Sequence, residues 1–173
     1  MLNKDIHSIE HIINYCKSIK ELRDRFGNDK KIFAEDKAYQ YSTCMCILQI
    51  GEHISRLSDE AKDSIKGIQW RNLKAMRNIF AHNYGAMSID ITWDVITNEI
   101  PDIFAKCQAA LKEQCGIKTV PSSAIAPLKE KNLIVGSKIV DGEHKIKFYK
   151  NNEQAIDKVI SDLKPPKKNM TMK

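Results

Sequence analysis

Apolar side chains return every three or four residues along most of the first 115 positions, and this periodicity narrows the fold before any other feature does. Between residues 4 and 26 they fall at Ile6, Ile9, Ile13, Cys16, Ile19 and Leu22, the spacing of one helix face. Gly27 and Asn28 then stop the pattern. A second long helix is expected over 31–56, with Phe33, Ala34, Ala38, Tyr41, Met45, Leu48 and Ile54 near one stripe. Gly51 lies inside it, where glycine costs about 1 kcal/mol relative to alanine. A close approach of another backbone would be a reason to keep it. Ser58 is placed to cap a short helix that Gly67 ends. A fourth helix is predicted from Trp70 to about Ala81. A fifth is predicted from an Asp90 cap to about Gln114, with Ile91, Val95, Ile103, Cys107 and Leu111 inside. Pro101 should kink or split that helix, and Gly116 should close it. The expected fold class is all-α, a helical bundle over residues 1–115.

The composition then changes. "IKTVPSSAIAPLKEKN" reads as a linker with a short helix. The β-type residues around Asp141-Gly142 predict a hairpin. "NNEQAIDKVISDL" is a predicted last helix, and "KPPKKNMTMK" a disordered end. Charge follows the same division. Residues 1–115 hold 16 basic and 16 acidic side chains, whereas residues 116–173 hold 12 lysines and 6 acids. The whole excess of +6 thus belongs to a basic C-terminal extension, which either attracts polyanions or is simply a solvated tail.

Several classes are set aside. No stretch approaches the ~18 consecutive apolar residues of a membrane span. The start, "MLNKDIHSIEHII", lacks a basic region followed by an apolar run, so no signal peptide is expected and the cytoplasm is the expected compartment. The cysteines, Cys16, Cys44, Cys46, Cys107 and Cys115, are odd in number and form no CxxC. Reduced core thiols are the plain reading.

The segment "RNIFAHNYG", residues 77–85, stands apart. It puts a guanidinium, an imidazole and a phenol within eight positions, and packing needs none of them. Arg77 and Tyr84 are seven residues apart, nearly on one side of an ideal helix. Arg77 and His82 are five apart, roughly 140° around the axis. Either the helix ends before His82, or the arginine reaches a long way, or two copies of the motif meet. Asn78 and His82 are four apart and can share a face.

"MRNIFAHNYG" resembles the R-x4-H-x-Y motif of the HepT-type toxins, in the HEPN superfamily of helical ribonucleases. Arg77, His82 and Tyr84 match its three named positions. "IGEHISRLS" and "QWRNLKAMRN" before it, and "ITWDVITNEIPDI" after it, resemble the same family in the same order. The likeness covers about residues 1–115; residues 116–173 lie outside it. It implies an HEPN-type bundle that dimerises and a metal-independent endoribonuclease. It also implies a cognate minimal nucleotidyltransferase antitoxin of the MntA type, which modifies the tyrosine with AMP. The system would be a type VII-like HEPN/MNT toxin–antitoxin pair. No cofactor or metal is expected.

RNA cleavage through the 2′-hydroxyl needs a base, an acid for the leaving oxygen, and positive charge at the phosphoryl oxygens. Arg77 suits the last role, because its fork matches phosphate. His82 suits proton transfer near neutral pH, and Asn78 could orient the imidazole or bind an oxygen. Each chain supplies one motif histidine, so a symmetric dimer supplies two across a groove. AMP on Tyr84 would add bulk and negative charge where RNA phosphate must sit. Glu52 reads as a partner of Arg77 or, slightly favoured, as a helix-surface acid. His7 and His11 have metal-ligand spacing without an evident third ligand, so a solvated face is expected. His53 and His144 carry no signal.

Two other functions compete with the enzyme. The fold could be a non-catalytic HEPN binding module that serves as partner or substrate of the nucleotidyltransferase. Alternatively the C-terminal third, whose short helix, hairpin and lysines are similar to part of a winged helix, could be the RNA or DNA contact.

Overall fold

The computed structural model describes residues 1–82 and 88–163, the side chains of 80–82 excepted. The chain divides into two units, Met1–Glu113 and Gln114–Lys173.

In the first unit the apolar periodicity becomes helices. They are α1 (Asn3–Phe26), α2 (Lys30–Glu35), α3 (Lys37–Arg56), α4 (Asp59–Ser64), α5 (Trp70–His82), α6 (Ile89–Asp94) and α7 (Ile100–Glu113). Helix α3 packs against α1 and α5, and α1 also packs against α7. The core is rich in isoleucine: Ile9, Ile12, Ile19, Ile47, Ile50, Ile54 and Ile96 are wholly buried or nearly so, as is Leu73. Tyr39 closes one end, stacked on Phe26 at 5.0 Å and edge-on to Phe33 at 4.9 Å. Ser58 caps α4 by accepting from the Ala61 N–H. It also ties α4 to the start of α1, since its N–H and hydroxyl donate to the buried Asp5 carboxylate at 2.9 and 3.0 Å. Burial raises the Asp5 pKa, but the Ser58 and Leu2 hydrogen bonds outweigh it and leave the carboxyl below its ordinary value.

Three features of this unit differ from the expectation. The helix expected over 31–56 is two helices. Asp36 is extended (φ −96°, ψ 106°) and its carboxylate accepts from the Tyr39 N–H, capping α3. The Gln40 amide donates to the carbonyls of Phe33 and Ala34, both at 2.8 Å, which closes α2. Side chains that bond the backbone locally thus replace helical bonds. The break changes the phase of the buried stripe: Tyr39, Cys44, Ile47, Ile50 and Ile54 face inward, while Tyr41 and Met45 are 54% and 49% exposed.

Ser88, not Asp90, caps the fifth helical run, and Ile91 lies outside the core, 60% exposed. The run is divided just before Pro101, as expected, but without leaving helical backbone. A π-helical turn, Val95–Glu99, joins α6 to α7, and the Ile100 N–H bonds the Val95 carbonyl. Proline lacks the N–H that would follow in this register. The Ile96 carbonyl, left without a helical donor, accepts instead from Arg23 Nη1 at 3.1 Å.

The second unit contains β1 (Cys115–Thr119), α8 (Ser122–Glu130), β2 (Gly136–Val140), β3 (Glu143–Tyr149) and α9 (Glu153–Asp162), with a 3-10 turn at Lys150–Asn152. The strands form an antiparallel sheet in the order β1-β3-β2. The expected hairpin is present. Asp141 and Gly142 both have positive φ, 52° and 79°, as a two-residue turn of matching twist requires. Val120, Ala124, Leu128, Ile146, Phe148, Ile156 and Val159 form a separate core. Strand β1 is new relative to the sequence reading. Gly116 does not close a helix; it is a strand residue opposite Phe148. The expected disorder of 164–173 falls outside the described residues.

Architecturally the protein is an all-α bundle with a small α/β extension. None of the five cysteines is in a disulfide, and Cys16, Cys44 and Cys107 are buried. Burial pushes the Cys44 thiol up to about 11 and Cys107 to about 12. Among the described residues no helix is long and apolar enough to cross a membrane.

Candidate functional site

The site is built where α5 crosses α3. A Cβ on Gly51 would collide with the Arg77 Cβ and lie 2.9 Å from its Cγ, with the Leu73 carbonyl at 3.5 Å. Glycine therefore permits the close approach that its place inside a helix suggests. The approach lays Arg77 along α3 beside the next residue, Glu52. Arg77 Nε donates to Glu52 Oε1 at 2.5 Å, and Nη2 forms an ion pair with the same oxygen. Nη1 donates to the Asn78 Oδ1 at 2.9 Å. The two charged side chains are 32% and 28% exposed, so the pair is partly shielded from water. Of the two readings of Glu52, the less favoured one describes its position: it is the partner of Arg77. Among the described residues the guanidinium thus engages Glu52 through Nε and Nη2 and Asn78 through Nη1, three of its five N–H donors.

Helix α5 continues through His82. The helix therefore does not end before this residue, and one chain keeps Arg77 and His82 roughly 140° apart around one axis. A long arginine reach and a meeting of two copies remain. The His82 side chain lies outside the described residues, as do Tyr84 and Gly85. The structure thus brings together Glu52, Arg77 and Asn78, and it places the His82 backbone one helical turn beyond Asn78.

A second polar cluster carries no sequence signal at His53. Its ring is buried and stacks on His11, with centroids 4.4 Å apart and planes 6° from parallel. The His11 Nε2 lies 3.1 Å from the His7 Nε2. His7 is exposed, but His11 is half-buried, so this is not simply the solvated face expected of the pair. Burial holds His53 below the ordinary histidine pKa, helped by His11, Arg56 and His7 and opposed by Glu52. A sequence scan misses the contact because it joins α1 to α3. Among the described residues no three His, Cys, Asp or Glu side chains are grouped to hold a metal ion.

Comparison with known proteins bears on this site. A candidate RNase of Methanocaldococcus jannaschii is 23% identical over 115 residues, which cover 65% of this chain and 93% of the relative. A candidate RNase of Caldanaerobacter subterraneus subsp. tengcongensis is 24% identical over 106 residues, covering 61% of this chain and 93% of the relative. A gamma-glutamylcyclotransferase and candidate RNase of M. jannaschii is 30% identical over 102 residues, 59% of this chain and 42% of the relative. No solved structure shows a significant match. The family model described as ribonuclease HepT-like matches residues 12–110, a span that contains Glu52, Arg77, Asn78 and His82. The chain belongs to the HepT-like ribonuclease family of the HEPN superfamily.

Proposed function

We propose that this protein is the toxin of a type VII-like HEPN/MNT pair, a cytoplasmic, metal-independent endoribonuclease that a MntA-type nucleotidyltransferase silences by adding AMP to Tyr84. The observation that carries the reading is the partly shielded Arg77, held over Gly51 by Glu52, inside the family-matched span.

Arg77 binds the phosphoryl oxygens and stabilises the charge that grows on them in the transition state. His82 moves the proton, and Asn78 orients the ring or an oxygen. In-line displacement needs acid and base on opposite sides of phosphorus. A homodimer meets this need with one imidazole from each copy, and the angular separation of Arg77 and His82 on one helix supports such a shared site. Tyr41 and Met45 lie 11 and 7 residues before Glu52 on α3 and are half exposed. That spacing places them on the same stripe as Glu52, so the apolar surface a dimer would cover adjoins the site.

RNA cleavage in the presence of EDTA tests the chemistry. His82→Ala should lose on the order of 10²- to 10³-fold in rate while keeping its helical circular dichroism, and Arg77→Ala should behave likewise. Wild-type-like cleavage by folded His82→Ala, or cleavage that needs added Mg²⁺, would sink the mechanism. Intact mass after incubation with the partner and ATP tests the silencing. Wild type should gain AMP and Tyr84→Phe should not; equal gains would place the modification elsewhere.

A further inference from the structure

The second unit lies beyond the family-matched residues, and one face of its sheet is chemically uneven. Residues directly opposite across an antiparallel pair share a face. The register therefore aligns Ile117, Lys147 and Gly136 in one row and Thr119, Lys145 and Lys138 in the next. Ile146 and Phe148 alternate to the other side and join the core. The outward face thus carries Lys138, Lys145 and Lys147 around Ile117, which is 72% exposed. These residues and Gly136 line a shallow hollow of about 260 Å³. Tyr149 stands on the same face at the far end of β3. Glu143 is the one acid among the strand residues of this face.

Lys118 supplies the contrast. It belongs to the inward set, and its ammonium is 2.5 Å from Asp157 and 3.8 Å from Glu153. Among the described residues the three outward lysines have no ion-pair partner. Inward positive charge is neutralised, and outward positive charge is left in a group.

We propose that this sheet face binds single-stranded RNA, resting on the ribonuclease reading above for the kind of nucleic acid. Lys145 and Lys147 are two residues apart on one strand, ~6.8 Å, and Lys138 lies one strand over, ~4.8 Å. Three mobile ammonium groups at this spacing can follow the phosphates of a flexible strand. The apolar hollow between them accepts the face of an unpaired base, a surface that a duplex hides. The unit gives the ribonuclease a hold on its substrate outside the catalytic bundle.

Fluorescence anisotropy of a labelled oligouridine with the full chain tests this. The triple variant Lys138→Gln, Lys145→Gln, Lys147→Gln should bind about tenfold or more weakly. Its plot of log affinity against log salt should be shallower by about 2, at ~0.7 per single-strand phosphate contact. Ile117→Ser should weaken binding without changing that slope, and Lys158→Gln on α9 should change neither. Wild-type affinity in the triple variant overturns the proposal, as does an equal loss in Lys158→Gln, or duplex RNA bound as tightly as the single strand. The two readings separate cleanly. The triple variant should raise KM for cleavage and leave kcat unchanged, whereas His82→Ala should lose cleavage and keep wild-type anisotropy. Unaltered binding by the triple variant beside normal cleavage removes the sheet face alone. Binding that follows the predicted pattern without any cleavage by wild type removes the ribonuclease reading alone.

Discussion

Gly51 and Arg77 show how one missing side chain positions a charged one. The Gly51 backbone takes the place where a methyl would meet the Arg77 stem, and the next residue, Glu52, then lies within reach of the guanidinium. The atoms that would clash are the first two carbons of Arg77, which cannot swing aside without moving α5. Gly51→Ala should therefore lower stability by about 2 kcal/mol from overpacking, despite a helix-propensity gain of about 1 kcal/mol. A urea unfolding midpoint measures this. RNA cleavage should fall together with stability, because Arg77 is displaced. An alanine variant as stable and active as wild type would mean that the crossing relaxes freely, and the account of Gly51 would fail.

At the scale of elements, the π turn before Pro101 joins α6 to α7. Its cost is one orphaned carbonyl, on Ile96, which Arg23 from α1 satisfies. Arg23 also holds Asn28 in the turn after α1 through Nε at 3.1 Å and Nη2 at 2.7 Å. Removing a charged donor from a partly buried acceptor costs about 2 kcal/mol, so Arg23→Ala should destabilise by that order. A double-mutant cycle with Pro101→Ala isolates the reason. Alanine restores the N–H, so Arg23→Ala should cost about 1 kcal/mol less in that background. Equal costs in both backgrounds would show that Arg23 acts only through Asn28.

The whole molecule is proposed to act as a pair. Helix α3 buries Ile47, Ile50 and Ile54 on one side and leaves Tyr41 and Met45 half exposed on another, in line with Glu52. The double variant Tyr41→Glu, Met45→Glu puts four like charges into a symmetric interface, two from each copy. Sedimentation velocity at micromolar concentration should find wild type as a dimer and this variant as a folded monomer. Cleavage should then drop as far as in His82→Ala, on the order of 10²-fold or more, since each site loses the second imidazole. A monomeric wild type, or a monomeric variant with full activity, would defeat the shared site.

The sequence alone determined most helix positions, because burial of one face writes a local period that needs no knowledge of the partner. It also marked Gly51 as a close approach, the Asp141-Gly142 turn, and Arg77 with His82 as the residues to watch. Only the tertiary structure decided what depends on distant partners or on competing local hydrogen bonds. Asp36 and Gln40 break the long helix because their side chains outbid helical bonding, which an unbroken apolar stripe does not reveal. Pro101 is carried through while Arg23, 73 residues before Ile96, donates to the Ile96 carbonyl. Strand β1 exists because β3 pairs with it; five residues with an exposed Ile117 show no period of their own. Glu52 could be a surface acid or the arginine's partner until α5 was laid across α3, since a carboxylate in a helix takes its role from whichever cation the packing brings near.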